Sequence, residues 1–295
     1  MKDTERRIVK VAKDVDVFLK NFLKQNQQNN KLFEAIKYGL FSGGKKFRSY
    51  LIVTSGNIFN LDYKKLITIG AAVECIHSYS LIHDDLPSMD DDDFRRGKKS
   101  THKVFGESTA ILAGNSLLTL AFEILTSNKM IANSKSKSDL VHTLASSSGY
   151  TGIAGGQFLD LKFEKIKVSK DSIVDMQNKK TGELISFCLE SVAILSGKEK
   201  ERRFLKKIGL DIGLLFQITD DLLDVFGDTK KIGKPTRGDK KKGKATIIKN
   251  LGINKAIEFS YQLADGITEK LKKRYDGTRA DSLVDSVNFL LRRDH

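Results

Sequence analysis

The sequence predicts an all-α protein, and three observations carry that prediction. Proline, which disrupts helix interiors, occurs only twice, at Pro87 and Pro235, among 295 residues. Apolar residues recur every three to four positions along most of the chain, which is the period of an amphipathic helix. No segment shows the strict alternation of a half-buried strand, and no proline-rich linker divides the chain. One domain spanning residues 1–295 is therefore expected.

The apolar periodicity divides the chain into successive helices. Helices are predicted over residues 6–23, 32–40, 48–58, 64–86, 109–127, 140–163, 169–195 and 202–226. Polar turns or loops are predicted over residues 25–30, 88–103, 134–138 and 227–243. The remainder, to about residue 293, has the pattern of an amphipathic helix. Long helices joined by short polar connections are typical of a helical bundle.

The charge of the chain is uneven. The 51 Lys and Arg residues outnumber the 37 Asp and Glu residues, so the net charge is +14. Nucleic acid, an anionic membrane or small anionic substrates would each suit such a balance. Many of the carboxylates, however, lie in two clusters. The first contains Asp84, Asp85 and Asp90–Asp93, and the second contains Asp220, Asp221 and Asp224. A basic protein with two such clusters is expected to hold cations beside an anionic ligand.

Membrane insertion is not expected from the sequence. No run of residues reaches the eighteen or so apolar positions that a membrane span needs. The basic first residues do not lead into an apolar segment of the signal-peptide type. These observations predict a cytoplasmic protein.

The carboxylate clusters have the donor chemistry of a metal site. Asp84 and Asp85 end a predicted apolar helix, and Asp90 follows a turn imposed by Pro87. In the second cluster, Asp220 and Asp224 are four residues apart and share a helix face, with Asp221 beside them. Sets of oxygen ligands suit hard cations, and Mg²⁺ in particular is bound through one or two carboxylates and substrate phosphates. Asp91–Asp93, taken alone, could equally be a solvated surface.

Basic residues accompany both clusters. Gly43 and Gly44 form a turn before Lys45 and Arg48, close to a predicted helix start, where backbone N–H groups and the helix dipole favour anions. Arg95 and Arg96 follow the first cluster, and Lys234 and Lys244 follow the second. Singly, such residues are usually solvated surface. Their placement beside both clusters favours phosphate binding.

These residues together resemble the trans-prenyl diphosphate synthase family over residues 32–251. The resemblance rests on Asp84-Asp85-x4-Asp90 with Arg95-Arg96, on Asp220-Asp221-x2-Asp224, and on elements between and around them. Those elements are Gly43-Gly44-Lys45-x2-Arg48, Gly155-Gly156-Gln157, Lys180-Thr181-Gly182, Gln217, Lys234 and Lys244. Lys46 and Ser49 stand where the family commonly has Arg and Pro, and neither change removes a metal ligand or a phosphate-binding cation.

The resemblance implies a fold and a reaction. The fold would be the isoprenoid-synthase helical bundle around a central active-site cavity, assembled as a homodimer. Mg²⁺ ions, three per active site, with Mn²⁺ as a substitute, would clamp an allylic diphosphate between the two Asp motifs. Isopentenyl diphosphate would then join dimethylallyl or geranyl diphosphate head to tail. Neither nucleic acid nor a membrane would take part.

The resemblance also implies roles for individual residues. The expected metal ligands, which hold or orient the ions, are Asp84, Asp85, Asp90, Asp220, Asp221 and Asp224. The residues expected to bind isopentenyl diphosphate are Lys45, Arg48, His77 and Arg96. The residues expected to bind the allylic diphosphate are Arg95, Lys180, Lys234 and Lys244. The residues expected to be catalytic are Lys180, Thr181 and Gln217, and of these Thr181 and Gln217 are expected to face the allylic cation.

Product length depends, in this resemblance, on side chains below Asp84 on its helix. Ser80 lies four residues before Asp84, so it is one turn down on the same face, and it is small. Tyr79 lies five residues before Asp84, roughly 7 to 8 Å along the helix axis, where its ring can act as a floor. The stretch from Tyr79 to Pro87 resembles bacterial farnesyl diphosphate synthases. The expected product is farnesyl diphosphate, with geranylgeranyl diphosphate as the alternative within the family.

Three other functions would account for part of the sequence. A terpene cyclase shares the fold and metal clamp but typically lacks an isopentenyl diphosphate site, so Lys45, Arg48 and Arg96 argue against it. A nucleic-acid-binding protein would account for the charge, yet it should show a basic stripe with interleaved aromatics rather than acidic clusters. A catalytically inactive partner subunit usually loses one Asp motif, and both are intact here.

Overall fold

The computed structural model describes residues 2–164, 166–226 and 244–292. The helices before residue 130 are α1 (Lys2–Lys24), α2 (Lys31–Leu40), α3 (Phe47–Gly56), α4 (Tyr63–Asp84), α5 (Thr101–Phe105) and α6 (Glu107–Thr126), with a 3-10 turn at Asn57–Phe59. The next are α7 (Ser134–Ser148), α8 (Ile153–Lys162), α9 (Lys170–Gln177), a π-helix (Asn178–Gly182), α10 (Glu183–Ser196) and α11 (Glu199–Phe226). The last are α12 (Ile247–Leu251), α13 (Ile253–Arg274) and α14 (Asp281–Leu291). The predicted all-α fold is confirmed for these residues.

Side-chain caps mark the start of α2 and of α4. The Asn30 side chain accepts a hydrogen bond from the backbone N–H of Phe33 at 2.9 Å, and this satisfies a donor in the first turn of α2. The Asp62 carboxylate does the same for α4, accepting from the N–H groups of Lys64 and Lys65. Capping therefore fixes the start of α4, the helix whose other end carries Asp84 and Asp85.

The chain forms two compact units. One contains Lys2–Val53 and Asp62–Val141; in it α4 packs against α1, α2 and α6. The other contains Thr54–Leu61 and His142–His295; in it α11 packs against α10 and α13. The expectation of one domain over residues 1–295 stays a prediction.

The core of the second unit lies under the second Asp motif. Leu214, Ile218 and Leu222 are spaced four residues apart along α11 and are buried. They pack with Ile173 and Met176 of α9 and with Ala245, Ile247 and Ala256. This packing anchors α9, α11 and the segment that begins at residue 244 to one another.

Several predicted boundaries are wrong, each for a local reason. Residues 134–138 are the first turn of α7 rather than a loop. The single helix predicted over 140–163 breaks before α8, where Gly152 takes φ −122° and ψ −126°. The helix predicted over 169–195 contains the π-helix, and the last predicted helix is divided into α12, α13 and α14, with Gly252 at φ 81° between the first two. The predicted loop over residues 227–243 lies outside the described residues.

The predicted loop over residues 88–103 is also more ordered than expected. It contains a small antiparallel hairpin in which Phe94 pairs with Lys99 and Arg95 with Lys98. The helix α5 then begins at Thr101. Two residues per strand are too few to show an alternating pattern, so the hairpin could not be predicted from the sequence.

Among the residues that the structure describes, two helices are long and apolar enough to cross a membrane by length and composition alone. They are α4 and α6, whose most apolar windows are 72 % and 39 % buried within the protein. The two helices pack against each other in one unit, and core helices of non-membrane proteins pass the same test. They carry no argument for a membrane span.

Candidate active site

The first Asp motif lies at the C-terminal end of α4. Asp84 is half-buried and Asp85 is 3 % exposed. The chain then turns back on the helix end, because the backbone N–H of Asp90 donates to the carbonyl oxygen of Asp84 at 2.9 Å. The turn after Pro87 thus returns Asp90 to the end of the helix that carries Asp84, as the spacing of the motif predicts.

Arg95 is bound to this motif. Its Nε donates to Oδ1 of Asp85 at 2.9 Å, a second guanidinium nitrogen contacts the same oxygen, and that nitrogen lies 3.4 Å from Oδ2 of Asp92. Burial raises the pKa of Asp85, and the guanidinium opposes that shift. Burial disfavours the charge on Arg95, but its bond to Asp85 outweighs this and raises the pKa of Arg95. A predicted diphosphate-binding cation and a predicted metal ligand therefore form an ion pair.

Three residues predicted to bind isopentenyl diphosphate meet around one imidazole. Arg48 and Arg96 each place a guanidinium nitrogen 3.4 Å from Nε2 of His77. Burial lowers the pKa of His77 well below its usual range, and Arg48 and Arg96 lower it further. The neutral imidazole accepts from the guanidinium groups, so a neutral ring lies between the two cations.

The glycine turn before α3 seats Arg96. Gly44 has φ +102°, and a Cβ there would lie 2.6 Å from the guanidinium carbon of Arg96. The guanidinium of Arg96 also donates to the carbonyl oxygen of Gly43. Lys45, the fourth predicted residue of this group, is exposed on the same turn. The turn needs glycine for both its conformation and its close contact with Arg96.

The two predicted chain-length residues also lie on α4. Tyr79 is half-buried, and its ring packs edge-on against His83 with 5.2 Å between ring centroids. Burial and the nearby Asp84 raise the pKa of Tyr79, so the phenol stays neutral. The Ser80 hydroxyl donates to the carbonyl oxygen of His77 at 3.0 Å and adds little bulk.

Three further side chains near this motif form a candidate metal-binding group. One ligand atom from each of Asp91, Asp93 and His102 lies within 4.8 Å of the others. His102 is 5 % exposed, and Asp93 forms an ion pair with Lys103 at 2.7 Å. His102 could not be predicted as a ligand from the sequence, because its approach to Asp93 depends on the hairpin. A hydrogen bond from the Ser100 N–H to the Asp93 carbonyl oxygen closes that hairpin.

The second Asp motif belongs to a hydrogen-bonded chain of predicted site residues. Thr181 donates through its hydroxyl to Oε1 of Gln217 at 3.1 Å. Nε2 of Gln217 donates to Oδ1 of Asp221 at 2.9 Å. Within the motif, Asp221 and Asp224 are buried, whereas Asp220 is exposed. The amide of Gln217 is therefore held in one orientation by a hydroxyl and a carboxylate.

Two of the lysines predicted to bind the allylic diphosphate converge on a residue that the sequence did not single out. Nζ of Lys180 and Nζ of Lys244 donate to the same oxygen, Oδ2 of Asp160, at 2.6 and 2.7 Å. The signal was the interruption of an apolar segment by one carboxylate after Gly155-Gly156-Gln157. Lys234, the other lysine of this group, lies outside the described residues.

Comparisons with known proteins identify the family of this chain. The sequence profile of the family described as polyprenyl synthetase matches residues 29–281. The chain is 40 % identical over 271 residues to the farnesyl diphosphate synthase of Escherichia coli strain K12, covering 90 % of this chain and 91 % of that one. The chain belongs to the polyprenyl synthetase family.

Solved structures share the fold. A geranylgeranyl pyrophosphate synthetase from Pyrococcus horikoshii superposes with a TM-score of 0.89 at 28 % identity, over 99 % of each chain. A geranyltransferase from Helicobacter pylori, in complex with magnesium and isoprenyl diphosphate, superposes with a TM-score of 0.81 at 29 % identity, over 96 % of each chain. The family and fold predicted from the motifs are confirmed.

Proposed function

We propose that the protein is a trans-prenyl diphosphate synthase that extends allylic diphosphates with isopentenyl diphosphate, mainly to farnesyl diphosphate. In this reaction the carbon–oxygen bond of dimethylallyl or geranyl diphosphate breaks, and the diphosphate leaves with the bonding electrons. The double bond of isopentenyl diphosphate attacks the allylic carbon, and loss of a proton restores a double bond. The product is five carbons longer.

The observation that carries this proposal is the pairing of cations with carboxylates in each unit. One unit holds an Asp motif with Arg95 and the cluster of Arg48, His77 and Arg96. The other holds an Asp motif with the cluster of Lys180, Asp160 and Lys244. Diphosphate substrates and divalent ions need both kinds of group. Relatives named as farnesyl diphosphate synthases support the same reaction.

The donor chemistry of the Asp motifs fits Mg²⁺. The side-chain donors of both motifs are carboxylate oxygens, the ligands that this hard cation prefers. The proposed ligands are Asp84, Asp85, Asp90, Asp220, Asp221 and Asp224. Bound Mg²⁺ would neutralise charge on the departing diphosphate. Three ions per site, with Mn²⁺ as a substitute, remain the expectation, and the group of Asp91, Asp93 and His102 is an additional candidate for a divalent ion.

The protein's own side chains bind and orient the substrates. Lys45, Arg48, His77 and Arg96 are assigned to isopentenyl diphosphate, and the guanidinium planes suit bidentate contacts with phosphate oxygens. Arg95, Lys180, Lys234 and Lys244 are assigned to the allylic diphosphate. Thr181 and Gln217 are assigned to the reacting carbon atoms. The hydrogen bond from Gln217 to Asp221 orients the amide, and the oxygen dipoles of Thr181 and Gln217 stabilise developing positive charge.

Product length is proposed to depend on Tyr79, with Ser80 leaving room above it. A half-buried aromatic ring packed on His83 is a stiff barrier to a growing chain. The second candidate product is geranylgeranyl diphosphate, which the names of relatives from Arabidopsis thaliana and Pyrococcus horikoshii support. A cytoplasmic homodimer is proposed as the working form.

The test is product analysis with Mg²⁺, isopentenyl diphosphate and each allylic primer. Wild-type protein should yield fifteen-carbon product, and Tyr79→Ala should yield products of twenty carbons or more. Tyr150→Ala, which removes a ring that is 87 % exposed, should leave product length unchanged. Absence of condensation would refute the function. Condensation with an unchanged product in Tyr79→Ala would refute the assignment of Tyr79 alone.

A further inference from the structure

Asp160 joins two lysines that come from distant parts of the chain. Lys180 lies in the π-helix and Lys244 precedes α12, yet both ammonium groups donate to Oδ2 of Asp160. The two ammonium nitrogens can therefore be no more than about 5 Å apart, a distance at which like charges repel strongly away from water. A single carboxylate between them removes most of that repulsion.

The carboxylate is buried and charged. The side chain of Asp160 is 5 % exposed, whereas those of Lys180 and Lys244 are 25 % and 11 % exposed. Burial would raise the pKa of Asp160, but the two ammonium groups outweigh burial and lower it. Asp160 is therefore a poor proton acceptor, and the cluster carries a net charge of +1.

The backbone holds this geometry rigidly. A Cβ at Gly156 would lie 2.1 Å from the backbone nitrogen of Lys180, so α8 and the π-helix touch through their backbones. Asp160 is one helical turn after Gly156 and lies on the same face of α8. On the other side, Lys244 is followed by Ala245, which is buried in the core with Ile173 and Met176.

We propose that Asp160 is a positioning residue that spaces Lys180 and Lys244 to fit neighbouring oxygens of one diphosphate group. Each ammonium group has three N–H donors and donates one of them to Asp160. The inference rests on the proposed function, in which these lysines bind the allylic diphosphate.

The experiment compares Asp160→Asn with Asp160→Glu and wild type. Asparagine keeps the size of the side chain and one acceptor but loses the charge. The KM for geranyl diphosphate should rise about ten-fold or more, as expected for charge-assisted hydrogen bonds, while the KM for isopentenyl diphosphate stays within about two-fold. Glutamate keeps the charge and should restore the KM for geranyl diphosphate.

A matched control is Asp175→Asn. Asp175 bonds Lys179 at 2.7 Å, beside Lys180 in sequence, but its side chain is 56 % exposed. Neither KM should change in this variant. Circular dichroism before and after heating checks that each variant folds.

The outcomes separate the two proposals. If wild type condenses its substrates and Asp160→Asn matches it in both KM values, the positioning role is wrong and the function stands. If wild type condenses nothing, the function is wrong. In that case calorimetry with inorganic diphosphate and Mg²⁺ decides the role: about ten-fold weaker binding by Asp160→Asn supports it, and equal binding overturns it.

Discussion

Two pairs of cations, one in each unit, differ in the group that joins them. Arg48 and Arg96 share a neutral imidazole, that of His77, whereas Lys180 and Lys244 share a carboxylate. Guanidinium groups spread their charge over a plane and are weakly hydrated, so they tolerate close approach better than compact ammonium groups do. The lysine pair is joined by a carboxylate and the arginine pair by a neutral ring, and the carboxylate of Glu74 acts on Arg96 through space.

This difference matches the substrates assigned to each pair. In the proposed function the Asp motifs and their metal ions serve the allylic diphosphate, so its lysines need supply little positive charge. Isopentenyl diphosphate is assigned to Arg48 and Arg96, which are joined by a neutral imidazole. In this assignment the arginine pair serves the substrate that has no metal partner.

The largest expected effect is a loss of kcat on replacing a motif aspartate, which tests the chemical step apart from substrate binding by the cation pairs. Asp84→Ala or Asp220→Ala should lower kcat by about three orders of magnitude, because charge stabilisation of the leaving diphosphate is lost while both cation pairs remain. Steady-state kinetics at saturating substrate measures this. Asp265→Ala, on an exposed position of α13, is the control and should retain wild-type kcat. A kcat within ten-fold of wild type in both motif variants would remove the metal from the mechanism.

The next effect perturbs the lysine pair through the backbone. Gly156→Ala puts a methyl group 2.1 Å from the nitrogen of Lys180, so α8 must move away from the π-helix and carry Asp160 with it. The free energy of unfolding should fall by about 1–3 kcal/mol, as in other overpacked sites. Denaturant titration measures it, and the KM for geranyl diphosphate should rise in parallel.

Gly266 provides the control for this substitution. A Cβ there meets no heavy atom within 4 Å, and the residue lies inside α13. Gly266→Ala should therefore stabilise the protein by up to about 1 kcal/mol. Equal stabilities for the two alanine variants would mean that the backbone contact at Gly156 does not hold the lysine pair.

The smallest effect tests the arginine pair. Burial, with Arg48, Arg96, Lys46 and Arg95 around it, lowers the pKa of His77 in the folded protein. The unfolded chain binds a proton near pH 6.5 and the folded protein does not, so stability is full above that pH and falls as pH drops towards the folded pKa. The loss is about 1.4 kcal/mol per pH unit within that window.

His77→Gln should remove this part of the pH dependence. Urea titrations at pH 7.5 and pH 5.5 measure the difference in the free energy of unfolding for each protein. The difference should be smaller in the variant, because glutamine does not titrate. An unchanged difference would show that His77 takes up a proton in the folded state as readily as in the unfolded chain.

The sequence predicted most of what is local. Helix periodicity located α1, α2, α4, α6 and α11 to within a few residues, because each has a continuous apolar face. The π-helix was not predicted, because its residue types are those of an ordinary α-helix. It forms where the backbone packs against α8 and α11. The family motifs are short and ordered, so they predicted the family from residue identity alone.

What the sequence missed depends on distant segments meeting. Asp160 lies 84 residues from Lys244, and no local pattern pairs them. His102 approaches Asp93 only because the hairpin between them closes. The pairing of Arg95 with Asp85 likewise required the turn after Pro87, and the sequence indicated only that both residues bind phosphate or metal.

The most direct test of the account is to measure the KM of both substrates in two variants, Arg48→Ala and Lys180→Ala. The account predicts a crossed result. Arg48→Ala should raise the KM for isopentenyl diphosphate about ten-fold or more and leave that for geranyl diphosphate nearly unchanged, and Lys180→Ala should do the reverse. The division of the two diphosphates between the arginine pair and the lysine pair is wrong if both variants raise the KM of the same substrate. It is also wrong if Arg48→Ala raises the KM for geranyl diphosphate and Lys180→Ala raises that for isopentenyl diphosphate.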